Sequence, residues 1–166
     1  MKNKILSTIG IFIILGISVS AQVSKQISFH HGTHNSETIK MFNSANWGMQ
    51  TNRLEDAKQM FLKVVEIDST FCDAWDNLSV CCRKLGQYDE AFYASMHSIM
   101  IDSINATAWI NCGYSAFLGG NIEISLKSFD NLQQIIPGNP EGYYGKSFVL
   151  YAIDSIASAK ENIRKS

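Results

Sequence analysis

The sequence predicts an all-α protein, a right-handed superhelical array of about four antiparallel helix pairs. Helix-type periodicity fills the chain after residue 37, without the strand-like alternation of apolar and polar residues. The sequence also matches itself at a spacing of 34 residues, without a gap, over four copies. A residue suited to ending a helix recurs near the middle of the copies, between two helical segments.

Large residues recur at one position of the 34-residue period. Trp75 aligns with Trp109, Met41 lies one period earlier, and Tyr143 lies one period later. Because one helix pair cannot bury its apolar face alone, we expect these side chains to fill the wedge between successive pairs. A second position holds small residues that would allow the two helices of a pair to approach closely, namely Ala57, Ala91, Ser125 and Ala159.

A third position carries the residues expected to turn the chain between the two helices of a pair. Gly86 and Gly120 lie one period apart, and glycine readily adopts the left-handed conformation that closes a helix. Asn52 occupies this position in the first copy and tolerates the same conformation. Asp154, in the last copy, is less suited to it, so we expect the fourth turn to be built differently.

The predicted organisation is a signal peptide at 1–21, an unpatterned leader at 22–37 and one domain at 38–166. The domain divides into copies at 38–71, 72–105, 106–139 and 140–166. Its predicted helices are 38–50, 54–67, 73–85, 88–101, 107–118, 122–135, 141–152 and 155–164.

The second copy resembles the tetratricopeptide repeat. Residues 74–103 read AWDNLSVCCRKLGQYDEAFYASMHSIMIDS, and the third copy keeps much of the same pattern. The family features in this stretch are Trp75, Leu78, Gly86, Tyr88 and Ala91. The resemblance implies a scaffold for protein–protein interaction.

In the tetratricopeptide family, the first helix of each pair lines a concave groove, and partners usually bind there. Carried over to this sequence, the resemblance implies a partner-binding groove that is rich in aromatic side chains in the last two copies. The groove could instead be filled by the leader, or it could hold a second copy of the chain. The predicted groove residues are Phe42, Met49, Val80, Ile110, Tyr114, Phe117, Tyr144, Phe148 and Tyr151.

Family members that bind chaperones grip an acidic peptide end with a clamp of lysine and asparagine. Here Phe42 stands at the position of the first clamp lysine, although Asn46 is retained. This difference argues against recognition of an acidic tail.

The first 21 residues have the pattern of a signal peptide. Lys2 and Lys4 precede an apolar run from residue 5 to residue 19, and the short side chains of Val19 and Ala21 predict cleavage before Gln22. The alternative is an uncleaved membrane anchor, but the run is shorter than the ~20 residues that a membrane span needs. We therefore expect an exported protein, periplasmic or secreted.

Charge and motifs exclude several function classes. Without Lys2 and Lys4, 12 of the 14 basic residues remain against 15 acidic ones, and no basic cluster suits nucleic acid. The sequence has no glycine-rich phosphate loop, no Cys-x-x-Cys or His-Glu-x-x-His zinc spacing and no Gly-x-Ser-x-Gly elbow. We predict no enzyme, no catalytic residues and no cofactor.

The four cysteines admit two interpretations. In an exported protein they could form disulfides, and only Cys82 with Cys112 has a plausible geometry across neighbouring helices. Alternatively, Cys72, Cys81, Cys82 and Cys112 are buried thiols that behave as small apolar residues.

The predicted function is a protein–protein interaction module or adaptor outside the cytoplasm, whose partner is another exported protein or peptide. Two alternatives remain. The chain could form a structural homo-oligomer, because its fourth copy ends at Ser166 without the polar helix that often covers such arrays. It could also bind a transition metal through His30, His31 and His34, although surface histidines in a flexible tail explain them as well.

Overall fold

The protein is described by a computed structural model that covers residues 34–165, with side chains for residues 34–157. The predicted signal peptide and residues 22–33 of the leader lie outside the described residues. Residues 34–153 belong to one compact unit and residues 154–165 to another. The described helices are α1 (Ser36–Gln50), α2 (Leu54–Ile67), α3 (Cys72–Lys84), α4 (Tyr88–Ile101), α5 (Ala106–Leu118), α6 (Ile122–Ile135) and α7 (Pro140–Lys165).

Helices α1 to α6 form three antiparallel pairs. Connections of three residues join the helices within a pair, and connections of four residues join successive pairs. Each of these helices packs against the next along the chain, α1 also packs against α3, and α3 packs against α5. No strand occurs between residues 34 and 165. The predicted all-α array of antiparallel helix pairs is confirmed for these residues.

The predicted turn residues close the first helix of each of these pairs. Asn52, Gly86 and Gly120 have φ values of 58°, 78° and 85°, in the left-handed region. The backbone N–H after each turn residue donates to a carbonyl five positions earlier, at 2.8–2.9 Å. This pattern satisfies carbonyls that a helix end would otherwise leave unpaired.

The fourth copy differs from the prediction. Helix α7 runs without interruption from Pro140 to Lys165, so the separate helices at 141–152 and 155–164 were wrong. Asp154 replaces the glycine of the turn column, and its Cβ makes the left-handed conformation costly. The segment from 152 to 157 reads AIDSIA and contains no glycine or proline, so nothing in it interrupts the helix.

Small residues bring the two helices of each pair close together. The Ser79 hydroxyl donates to the Ala91 carbonyl at 2.7 Å, and one period later the Ser125 hydroxyl donates to the Gly113 carbonyl at 2.8 Å. Such direct contact between a side chain and the opposite backbone requires that no large side chain separates the helices. The small residues at these positions thus allow the two helices of a pair to approach closely, as predicted from the period.

The two repeated tryptophans pack as predicted between helices. Both are half-buried, and each indole N–H donates to a loop carbonyl six residues earlier, Trp75 to Ser69 at 3.0 Å and Trp109 to Ser103 at 2.9 Å. The Trp75 ring also stacks on His97, with centroids 4.4 Å apart.

All four cysteines are buried free thiols, which agrees with the interpretation as small apolar residues. Cys82 lies near Glu90, whereas Cys112 contacts Met96 and Ser128. Burial raises the pKa of the Cys82 thiol to about 11, so this group stays protonated at neutral pH.

None of the helices between residues 34 and 165 combines the length and the apolar character that a membrane crossing requires.

Candidate functional site

The first helices α1, α3 and α5 lie side by side, and α7 continues the row through ring contacts with α5. This row carries all nine predicted groove residues. We call the open face of this row the groove.

Three aromatic rings on α5 and α7 form a contact cluster in the groove. Phe117 meets Phe148 edge to face at 5.3 Å, and Tyr114 meets Phe148 at 6.4 Å. Tyr114 also contacts Phe129 of α6 at 5.2 Å. The prediction that α5 and α7 would place their aromatic residues in one strip is confirmed for these three groove residues.

Two glycines, Gly113 on α5 and Gly145 on α7, allow their helices to pack closely on Phe129 of α6. Phe129 is fully buried, and a Cβ at Gly113 would stand 2.7 Å from its ring. A Cβ at Gly145 would clash with the same ring. With a larger residue at either position, α5 or α7 could not pack on Phe129 at its present distance. Sequence reasoning missed Gly145, although a glycine inside a helix is a signal for close packing.

The predicted groove residues differ in how accessible they are. Tyr144 and Tyr151 are 41% and 62% exposed, so a large part of each side chain lies at the surface. Tyr114, Phe117 and Phe148 are half-buried by one another and form the floor beneath. Ile110 is a correction, because it is buried in a core cluster with Leu132 and does not reach the groove surface.

The groove near α1 is more tightly packed than near α7. Phe42 contacts Phe71 at 4.7 Å and Phe61 at 5.8 Å. Met49 and Val80 are half-buried, and Met49 packs on the same core cluster. Phe42 and Met49 thus pack against the core, and Val80 is half-buried.

A guanidinium group borders the aromatic cluster. Arg83 lies 5.6 Å from the centroid of the Tyr114 ring, and its Nη2 donates to Asn111 Oδ1 at 3.4 Å. Burial lowers the pKa of Arg83 to about 10, so the group remains charged at neutral pH. The Tyr114 hydroxyl donates to Glu141 Oε2 at 3.4 Å, and burial raises the pKa of the Glu141 carboxyl. Tyr114 thus has a cation near its ring and a carboxyl group at its hydroxyl.

His34 is packed rather than free, unlike the expectation of surface histidines in a flexible tail. Its ring stacks on Phe71 with centroids 3.7 Å apart, and its Nδ1 lies 2.5 Å from Asp68 Oδ2. The hydrogen bond with His34 lowers the pKa of the Asp68 carboxyl. Sequence reasoning missed this contact because it joins residues 34 positions apart, in the leader and in a loop.

No metal centre is found in the part of the chain that the structure describes, where no three His, Cys, Asp or Glu side chains are grouped to hold an ion. His30 and His31 of the predicted metal-binding leader lie outside that part.

A family model describes one stretch of the chain. Residues 60–93, from the middle of α2 to the first half of α4, match the tetratricopeptide repeat model. This stretch of the chain is therefore similar to one tetratricopeptide repeat. The chain is also similar to Tetratricopeptide repeat protein 37 of Xenopus laevis, with 29% identity over 104 residues. That match covers 61% of this chain but only 7% of the relative's length.

Solved tetratricopeptide domains share the fold. The second such domain of human RPAP3, in complex with the HSP70 peptide SGPTIEEVD, superposes with a TM-score of 0.65 at 18% identity, covering 68% of this chain and 93% of that one. The Yersinia enterocolitica type III secretion chaperone SycD, in complex with a peptide of the translocator YopD, gives 0.64 at 18% identity, covering 76% and 97%. The Sgt2 domain from Aspergillus fumigatus gives 0.68 at 13% identity, covering 75% and 83%. At these identities the likeness concerns the fold alone.

Proposed function

We propose that the protein binds a peptide or helix of another protein in the groove, at the end formed by α5 and α7. The observation that carries the proposal is the arrangement of exposed tyrosines on α7 above a floor of three rings. Exposed aromatic residues above a packed apolar floor are typical of interface centres, where such side chains supply most of the binding energy.

The chemistry of this end of the groove favours a mainly apolar partner segment. The half-buried ring of Phe148 contacts both Tyr114 and Phe117 and offers an apolar surface to a partner. Tyr144 and Tyr151 are on the same helix as Phe148 and can close over a side chain that the partner inserts there. Arg83 has no carboxylate partner within the described residues. A single acidic residue of the partner would therefore find a cation beside the apolar floor.

The first copy is unsuited to an acidic tail. Phe42, at the position of the clamp lysine, packs on Phe61 and Phe71. The amide of Asn77 donates to Asn46 Oδ1 at 2.9 Å, so both of these amides already have a partner. Two of the structurally similar domains hold peptides, which supports peptide binding here without indicating which peptide.

The proposal predicts that Tyr144→Ala and Tyr151→Ala each weaken binding by about 2 kcal/mol, roughly 30-fold, because both rings lose contact with the bound segment. Peptides would be selected from a random displayed library on the wild-type protein and synthesised. Their affinities for wild type and variants would then be measured by calorimetry.

The matched control is Met100→Ala, which truncates an exposed apolar side chain on α4, outside the groove. It should bind the selected peptides like the wild type. Circular dichroism would show whether all variants keep the wild-type helicity. Peptides that bind both tyrosine variants with wild-type affinity would contradict the groove as the site.

We further propose that the protein acts after export, with its mature chain beginning at Gln22. The support is the run of apolar residues behind Lys2 and Lys4, closed by short side chains at Val19 and Ala21. Intact-mass spectrometry of the native protein should find residues 1–21 removed. A mass that includes them would contradict export by a cleaved signal peptide.

A further inference from the structure

One face of α7 is open where the equivalent faces of α1, α3 and α5 are covered. In the first three pairs, the second helix packs on the column that contains Gly48, Cys82 and Ala116, all of them buried. Leu150 occupies this column on α7 and is 49% exposed. Tyr143 and Ser147, on the same face of α7, are exposed as well. The apolar character of this face is therefore unexplained by the contacts of residues 34–153.

The sequence that would cover this face is present in the chain. Residues 155–165 keep the second-helix pattern, with Ile156 in the column of Tyr88 and Ile122, and Ala159 in the small-residue column of Ala91. In the structure these residues continue α7, and a single helix cannot pack against itself. Positions 147 and 159 are twelve residues apart, ~18 Å along a helix axis.

We infer that residues 155–165 of a second copy of the chain cover the open face of α7, in an antiparallel pair of α7 helices. The register follows from the intrachain pairs. Residue 79 lies opposite residue 91, and 113 lies opposite 125. One period further on, 147 is opposite 159, and the midpoint of this pair is residue 153.

The register places the two-fold axis at residue 153, inside α7, so that residues 155–165 of each copy reach residues 143–150 of the other. The C-terminal half of each α7 then covers the open face of the other α7, and the arrangement is complete with two copies. Leu150 of each copy meets Ile156 of the other, and both side chains are about half exposed in the single chain.

This dimer face is distinct from the groove. Tyr143, Ser147 and Leu150 each precede a groove residue by one position, which is a rotation of about 100° around α7. Dimerisation and peptide binding therefore use different faces of the same helix, and each can fail without the other.

The first test is a double variant, Ser147→Cys with Ala159→Cys, oxidised under mild conditions. In the antiparallel pair, position 147 of one copy lies opposite position 159 of the other. The two new thiols should therefore form a disulfide between copies, and a covalent dimer should appear on a non-reducing gel. Either single variant should stay monomeric on the gel, because like positions are about 18 Å apart along the axis. An intrachain bond would show that α7 breaks near residue 154 and covers its own face. That result, like the absence of any bond, would overturn the proposal.

The second test measures the dimer itself by analytical ultracentrifugation of the purified protein. Asp154→Gly restores the glycine of the turn column, so it should let residues 155–165 fold back and convert dimer to monomer with unchanged helicity. Leu150→Glu should weaken the dimer about tenfold or more, because a carboxylate would be buried against Ile156. Met100→Glu, a charge at an exposed apolar site elsewhere, should leave the dimer intact. A wild-type protein that sediments as a monomer at all concentrations would overturn the proposal.

Discussion

Replacing Phe129 by alanine should lower the free energy of unfolding by about 3–5 kcal/mol, the usual cost of removing a fully buried aromatic side chain. The ring is fully buried, and the absence of a Cβ at Gly113 and Gly145 leaves room for it. Tyr114 packs on its edge at 5.2 Å. Because two glycines cannot fill the space left behind, the cavity should persist rather than collapse.

Urea unfolding followed by circular dichroism measures this change. The control is Met100→Ala, which removes an exposed side chain on α4 and should change the free energy by less than about 0.5 kcal/mol. Since Phe129 packs against both α5 and α7 and contacts Tyr114, the Phe129 variant should also lose affinity for groove peptides while still folded. A Phe129→Ala protein with wild-type stability would contradict the packing of α7 on α6 described above.

The period of the sequence was sufficient to predict most of the fold. Residues 34 positions apart occupy equivalent places because each pair stacks on the next by the same contacts. The turn residues Asn52, Gly86 and Gly120 therefore located three turns correctly, since only residues that tolerate a positive φ suit that position. The same reasoning failed at Asp154, because a repeat register predicts where a turn would lie but does not force an uninterrupted helical sequence to break.

The site was predicted less completely than the fold. The position of a residue within the 34-residue period predicts which face of its helix the residue occupies. This reasoning correctly predicted that Tyr114, Phe117 and Phe148 lie together. It does not give the depth of a side chain, because depth depends on how closely the neighbouring helices approach. Ile110 shares its column with the exposed Tyr144, yet it is buried against Leu132.

A second large effect concerns pH and the carboxyl group of Asp76. This side chain is 5% exposed. Its Oδ2 accepts a hydrogen bond from Asn105 Nδ2 at 2.9 Å. Oδ1 has no hydrogen-bond partner among the described residues. Burial raises the pKa of Asp76 to about 7, and the negative charges of Asp73 and Asp102 raise it as well. The hydrogen bonds from Asn105 and Ser98 act in the opposite direction and lower it.

The sign of the effect follows from proton binding. An unfolded aspartate has a pKa of about 3.9, so between about pH 4 and pH 7 the folded chain holds a proton that the unfolded chain has lost. Stability from this group is therefore present at the acidic end of the window and falls as pH rises to 7, by on the order of 4 kcal/mol. Asp68 acts in the opposite direction at lower pH, because its pKa is lowered by His34.

Asp76→Asn should abolish this loss and make the protein more stable than the wild type at pH 8. The amide keeps an oxygen that can accept from Asn105, while no charge remains to be buried. The measurement is the free energy of unfolding in urea at pH 5 and pH 8, for wild type, Asp76→Asn and the exposed control Asp89→Asn. The control should retain the wild-type difference between the two pH values, whereas the Asp76 variant should lose most of it. Equal pH dependence in all three proteins would show that Asp76 is ionised in the folded chain at pH 5.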